Sequence, residues 1–228
     1  MSKIRLKQIM TYLKNPDFLS KIIPLIFFII LLPLACLHNS FGEYDGILML
    51  FSGREILKGL GYQGFVSHFW PPLYPLLIGF FDLFMDGFWA AKLVSMLAST
   101  ILLSFVYLLA KEIFERKSIG IWAQVFLVLN PLYIFDSIRA DNHLLEAMFY
   151  IVTLTLFLKF LKVEEEKKKI IFLVSSAITL ALTCLSRYTS YALFQFIYFF
   201  FLSSLVPRRG LNILFFLLPF LSLFSCLG

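Results

Sequence analysis

Apolar runs of roughly 20 residues, the length that spans a bilayer's hydrocarbon core, recur along this chain with only short charged stretches between them. A composition of 60% hydrophobic and 15% charged residues leaves too little polar surface to cover those runs in water. The chain therefore reads as an all-α, polytopic membrane protein. The runs fall at about 22–38, 89–110, 118–135, 142–161, 169–186, 189–206 and 211–228, which predicts about seven transmembrane helices.

Lysine and arginine set the expected orientation. The tail before Ile22, the turn from Lys111 to Lys117, the stretch from Lys159 to Lys169 and the pair Arg208-Arg209 hold 15 of the 20. By the positive-inside tendency that side is cytoplasmic, the N-terminus included. The division predicted is a basic tail over 1–21 and a transmembrane module over 22–228 with an outer loop at 38–88. In a bacterial or archaeal cell the membrane would be the plasma membrane.

The outer loop opens on Glu43-Tyr44-Asp45 and closes on His68-Phe69-Trp70-Pro71-Pro72-Leu73-Tyr74-Pro75. Paired prolines are poor inside a helix but suited to its start, so Pro71 and Pro72 mark the entry to a helix near Leu73. For the charge alternation to hold, that helix cannot cross; it must lie in the outer interface and lead through Asp86-Gly87 into the next span. Ile47, Leu50 and Phe51 recur at helical spacing with Arg54 and Glu55 facing water, an amphipathic helix over 47–58 resting on the membrane. Gly59 and Gly61 supply its stop. Two interfacial helices are thus predicted between the first two spans.

The net charge of +6 is accounted for by the cytoplasmic turns, so no nucleic-acid partner is implied. Glu164-Glu165-Glu166-Lys167-Lys168-Lys169 pairs opposite charges four apart in a solvated hairpin. Cys36, Cys184 and Cys226 lie in apolar stretches at spacings that suit neither disulfides nor a metal motif, and read as packing residues. Basic residues before an apolar run ending at Cys36 resemble a signal peptide, but no small-residue cleavage site follows, so the run is expected to stay as an uncleaved first span. A metal set of His68, His143 and a carboxylate has no support from spacing; no cofactor is expected, a divalent metal being the lesser alternative.

Several strings, in order, carry a family resemblance. They are Asp45 followed by Gly53-Arg54-Glu55-Ile56-Leu57-Lys58-Gly59, then Trp70 to Pro75, Ala90-Ala91-Lys92-Leu93, Ala110-Lys111-Glu112-Ile113-Phe114, Leu129-Asn130-Pro131, Glu146-Ala147 and Leu185-Ser186-Arg187-Tyr188. The chain resembles, over about residues 22–206, the GT-C class of membrane glycosyltransferases. The likeness is greatest to the branch with the protein O-mannosyltransferases and the lipid A aminoarabinose transferase. That resemblance implies transfer of a sugar from a polyprenyl-phosphate carrier to an acceptor hydroxyl of a lipid, glycan or protein on the non-cytoplasmic face. Members of the branch continue past a seventh helix, so the chain is expected to be a truncated product, one half of a split enzyme whose partner chain supplies the C-terminal part, or a minimal relative. The alternatives from other classes are a transporter or flippase-like carrier, whose polar residues would line a path through the membrane, and a non-catalytic membrane subunit.

The resemblance places the catalytic carboxylate at Asp45, where a base near the attacking hydroxyl can contribute on the order of 10²–10⁴-fold. The same aspartate could instead cap a helix starting near Gly46. A second acid is expected at Glu146, with Asp141 the alternative. The branch places this acid five residues after an arginine, whereas Glu146 departs from that spacing after Arg139 by two positions; a plain ion pair with Arg139 is its structural alternative. Arg187 runs against the positive-inside trend, and a guanidinium there can grip the carrier phosphate with two parallel hydrogen bonds. Arg139, His68 and Tyr44 complete the substrate-binding candidates, with interfacial snorkelling the plain reading for the arginines.

Overall fold

A computed structural model describes residues 15–38, 44–62, 70–192 and 195. The chain divides into two compact units, residues 1–188 and 189–228. Among the described residues there are eight α-helices: α1 (Pro16–Leu37), α2 (Tyr44–Leu57), α3 (Leu73–Asp82), α4 (Gly87–Phe114), α5 (Lys117–Val128), α6 (Pro131–Ser137), α7 (His143–Lys162) and α8 (Glu166–Ser186). A 3₁₀ turn follows at Tyr188–Ser190. Four helices, α1, α4, α7 and α8, are long and apolar enough to cross a membrane, or five spans if α5 and α6 count as one. The expected runs at 189–206 and 211–228 fall almost wholly outside the described residues, so the count of seven rests on the sequence alone.

Helix α1 begins before its apolar run, because Asn15 accepts the amide of Asp17 and Pro16 stands at the first helical position, where its missing N–H costs nothing. Its N-terminal end is tied to the α4–α5 reversal. Asp17 takes the Tyr107 hydroxyl at 2.9 Å and the Lys117 ammonium at 2.5 Å. At the same end Lys162 of α7 reaches Glu115 at 3.6 Å and Glu112 at 3.9 Å. Gly120 lets α5 approach α4 closely, since a Cβ there would stand 2.8 Å from the Tyr107 carbonyl. In the α7–α8 hairpin, Lys168 pairs with Glu165 and Lys169 with Glu166, three residues apart and not the four expected.

The single span expected at 118–135 is broken. Pro131 has no N–H to continue α5, and Asn130 accepts the Leu132 amide at 3.0 Å to start α6 at a bend of 71°. The bend turns Tyr133 into the bundle, where its ring stacks on Phe27 at 5.3 Å and its hydroxyl donates to the Ser99 carbonyl at 2.5 Å. Below the break, the buried Gln124 amide donates to the carbonyls of Ser20 and Leu103, joining α5 to α1 and α4.

Helix α3 has 10 residues, about 15 Å at 1.5 Å per residue against the roughly 30 Å of a hydrocarbon core, so it is too short to cross, as expected. It packs on α2 backbone to backbone: a Cβ on Gly53 would lie 2.2 Å from the Pro75 carbonyl oxygen, and one on Gly79 would lie 2.6 Å from that of Gly53. Gly59 and Gly61 take positive φ values of 75° and 85°, which ends α2 where the sequence places its stop. Arg54 keeps an exposed side chain, at 39%, and adds a partner. It forks onto Asp82 of α3, Nε to Oδ2 at 2.6 Å and an Nη to Oδ1 at 2.8 Å, while Glu55 stays exposed. This hydrogen bonding holds the Asp82 carboxyl below its ordinary value.

Helices α7 and α8 share a buried hydroxyl seam. Thr153 donates to Thr179 at 3.0 Å and lies 3.5 Å from Thr183, and Ser176 reaches the Thr153 carbonyl, the small-polar contact that binds helices where lipid supplies no hydrophobic drive. Of the cysteines, Cys184 is buried and Cys36 is exposed, so the packing role expected for both fits Cys184 alone. Cys226 lies outside the described residues.

Candidate active site

Away from the Asp17 cluster, the C-termini of α1 and α8 meet the N-termini of α4 and α7. Three buried polar contacts hold this end together. The Lys92 ammonium, on a fully buried side chain, donates to the carbonyls of Ala35 at 2.8 Å and of His38, and it lies over the Phe88 ring at 4.1 Å. A cation on the last carbonyls of α1 satisfies acceptors that the helix leaves open and complements its dipole. Asn142 donates to the Ser186 carbonyl at 3.3 Å, fixing the start of α7 against the end of α8.

The third contact explains the Trp-Pro-Pro-Leu-Tyr-Pro string. Tyr74, the second residue of α3, is fully buried, with its hydroxyl 3.2 Å from that of Ser95. Ser95 in turn donates to the Asp141 carbonyl at 3.1 Å. The chain Tyr74–Ser95–Asp141 thereby sets the turn before α7 from α3 through α4. Farther out, the Tyr62 hydroxyl donates to the Trp70 carbonyl at 2.5 Å, and burial pushes that phenol up to about 12, so it stays a donor.

On this frame four side chains converge. Asp141 places Oδ1 3.1 Å from the His143 amide, capping α7, and Oδ2 3.3 Å from His143 Nε2. His143 Nδ1 contacts an Nη of Arg187, and that guanidinium lies 3.7 Å from a Glu146 carboxylate oxygen. Arg187 follows α8 in extended conformation with its amide still bonded to the Thr183 carbonyl, which turns the side chain across to α7. Glu146 and Arg187 are both partly open, at 19% and 31% side-chain exposure, so neither charge is sealed away from a ligand. Three expected site residues, Asp141, Glu146 and Arg187, are thus brought together. Chemically, the group offers a carboxylate and a guanidinium side by side at the end of a helix bundle, suited to an anionic leaving group and a proton transfer beside it.

The remaining candidates are not joined to this group by any described contact. Asp45 is half-buried in the first turn of α2, and the helix starts at Tyr44, ahead of the expected start near Gly46; the carboxylate therefore sits inside the helix, where it complements the dipole. Tyr44 is exposed. Arg139 lies over the Phe135 ring at 4.8 Å. His68 lies outside the described residues. Among the described residues no group of three His, Cys, Asp or Glu side chains is arranged to hold a metal ion.

Residues 70–227 match the family described as dolichyl-phosphate-mannose-protein mannosyltransferase, a stretch that begins at Trp70 and includes the whole Asp141–His143–Glu146–Arg187 group. The chain belongs to that family. It is accordingly an integral membrane glycosyltransferase of the mannosyltransferase type, with four helices, or five spans, among the described residues long and apolar enough to cross a membrane. Asp45 precedes the matched stretch. No curated protein and no solved structure matches the chain.

Three residues at this site carry roles that sequence reasoning did not assign. His143 entered only as a conceivable metal ligand, and nothing local marks it as the link between Asp141 and Arg187. Ser95 and Lys92 sit in an apolar run as isolated polar residues. The signal that could have found Lys92 is its cost: a lysine inside such a run needs carbonyls or a partner.

Proposed function

We propose that the chain moves a sugar from a polyprenyl-phosphate carrier to an acceptor hydroxyl on the non-cytoplasmic face of the membrane. In the reaction the acceptor oxygen attacks the anomeric carbon, the bond from that carbon to the phosphate oxygen breaks, and the phosphate leaves on the carrier lipid. Asp45 takes the hydroxyl proton. Arg187 receives the charge that builds on the phosphate, with two parallel N–H donors matched to its oxygens. Glu146 is the supporting acid. Asp141 is the weaker choice for that part, because both its oxygens are directed at His143. Arg139, Tyr44 and His68 would contact substrate around them.

The observation that carries this reading is the Arg187–Glu146 pair, open to a ligand, within a chain of the mannosyltransferase family. The orientation is supported by the basic residues, which gather at the Asp17 and Lys162 end of the bundle and not at this one. The full chain in liposomes, given a polyprenyl-phosphate mannose and a hydroxyl acceptor, is expected to release polyprenyl phosphate. Glu146→Gln should lower that rate by about 10²-fold or more. Absence of release by the wild-type chain would overturn the donor assignment.

A further inference from the structure

We infer that His143 is a positioning residue that aims Arg187 at the carrier phosphate. The inference rests on the donor reading above and adds a part to it.

An arginine only donates, so the His143 Nδ1 that meets its Nη must accept, and the ring proton then sits on Nε2. Nε2 is the nitrogen facing the Asp141 carboxylate at 3.3 Å. The carboxylate thereby fixes the tautomer, and the tautomer fixes what Arg187 can do. Among the described residues, the charged groups around the imidazole are Asp141 on one nitrogen, Arg187 on the other, and Glu146 beside the same guanidinium at 3.7 Å.

Two attachments restrain a long side chain that would otherwise sample many rotamers, and ordering it in advance lowers the cost of binding an anion. Glu146 supplies charge, which a phosphate can replace. The imidazole supplies a neutral acceptor that holds one edge of the guanidinium without competing for its charge. Asn142 and Ser95 make this arrangement rigid, since they pin the turn carrying Asp141 and His143 to α8 and α4.

The test uses side chains that keep or remove an acceptor at the Nδ1 position. The Asn Oδ1 is bonded to Cγ as Nδ1 is, so His143→Asn retains an acceptor for Arg187; His143→Leu retains volume and removes it. Binding of a polyprenyl phosphate to the full chain is measured apart from turnover. His143→Leu is expected to weaken it on the order of tenfold, the worth of one hydrogen bond to a charged group, and His143→Asn to restore most of it. If the Leu variant does not fold, His143→Gln replaces it, because its acceptor sits one bond farther out and is expected to fail in the same way. Equal binding by wild type and Leu, or an Asn variant as weak as Leu, overturns the inference while leaving the donor reading in place. A wild-type chain that binds no polyprenyl phosphate removes the donor reading, and this inference with it.

Discussion

The Arg187 guanidinium lies 3.7 Å from the Glu146 carboxylate, across the seam between the end of α8 and the first turn of α7. If that guanidinium grips phosphate as a fork, Arg187→Lys keeps the charge and loses the geometry. Binding of polyprenyl phosphate is expected to fall roughly tenfold in Arg187→Lys and further in Arg187→Ala. An arginine that only snorkels would leave all three proteins binding equally.

The α2–α3 crossing gives a prediction on stability. A Cβ at Gly53 would stand 2.2 Å from the Pro75 carbonyl oxygen, a backbone atom that cannot swing aside. Gly53→Ala is expected to cost about 1–3 kcal/mol by forcing the helices apart, and Gly79→Ala to behave alike. Thermal unfolding in detergent reads this directly. An unchanged midpoint would mean that the two helices do not meet at these glycines.

Asp82 supplies a pH dependence. Its carboxyl is held below the ordinary 3.8 by the hydrogen bonds from Arg54, so the pair's contribution is present above that value and is lost as pH falls through the lower, folded one. The pair is partly exposed, which keeps its contribution small. The unfolding midpoint of the wild type is expected to drop more steeply than that of Asp82→Asn only below about pH 4. Parallel profiles for the two proteins would remove the pair from the account.

Topology is checked with fusions. A reporter placed after Gly61 is expected to read as non-cytoplasmic and one after Glu165 as cytoplasmic. The reverse result would put the Glu146–Arg187 pair in the wrong compartment for a carrier-linked sugar.

The long helices were legible because lipid demands unbroken apolar runs, which locate α1, α4, α7 and α8 whatever their packing. Local chemistry likewise marked α3 through Pro71-Pro72 and the end of α2 through Gly59. Hydropathy did not show the break at Asn130-Pro131, since the residues on both sides are apolar and only the missing proline N–H and the Asn130 cap record it. Rotation of each helix was hidden for the same reason: a face turned to lipid and one turned to the core look alike. The Arg54–Asp82 pair was therefore not foreseen, and the His143–Arg187 contact joins two helix ends whose relative turn no spacing encodes. Asp141 and Glu146 entered as candidates through the family resemblance and Arg187 through its exception to the positive-inside trend, signals that give position but not partner.

The central claim is tested most directly by transfer of labelled mannose from a polyprenyl-phosphate carrier, comparing wild type with Asp45→Asn at matched unfolding midpoints. Asparagine keeps the size of the side chain in the first turn of α2 and cannot take a proton from the acceptor. Transfer by the wild type and a loss of about 10²-fold or more in Asp45→Asn is the expected result. Equal transfer by the two proteins would contradict the assignment of the base, and no transfer by the wild type would contradict the reaction itself.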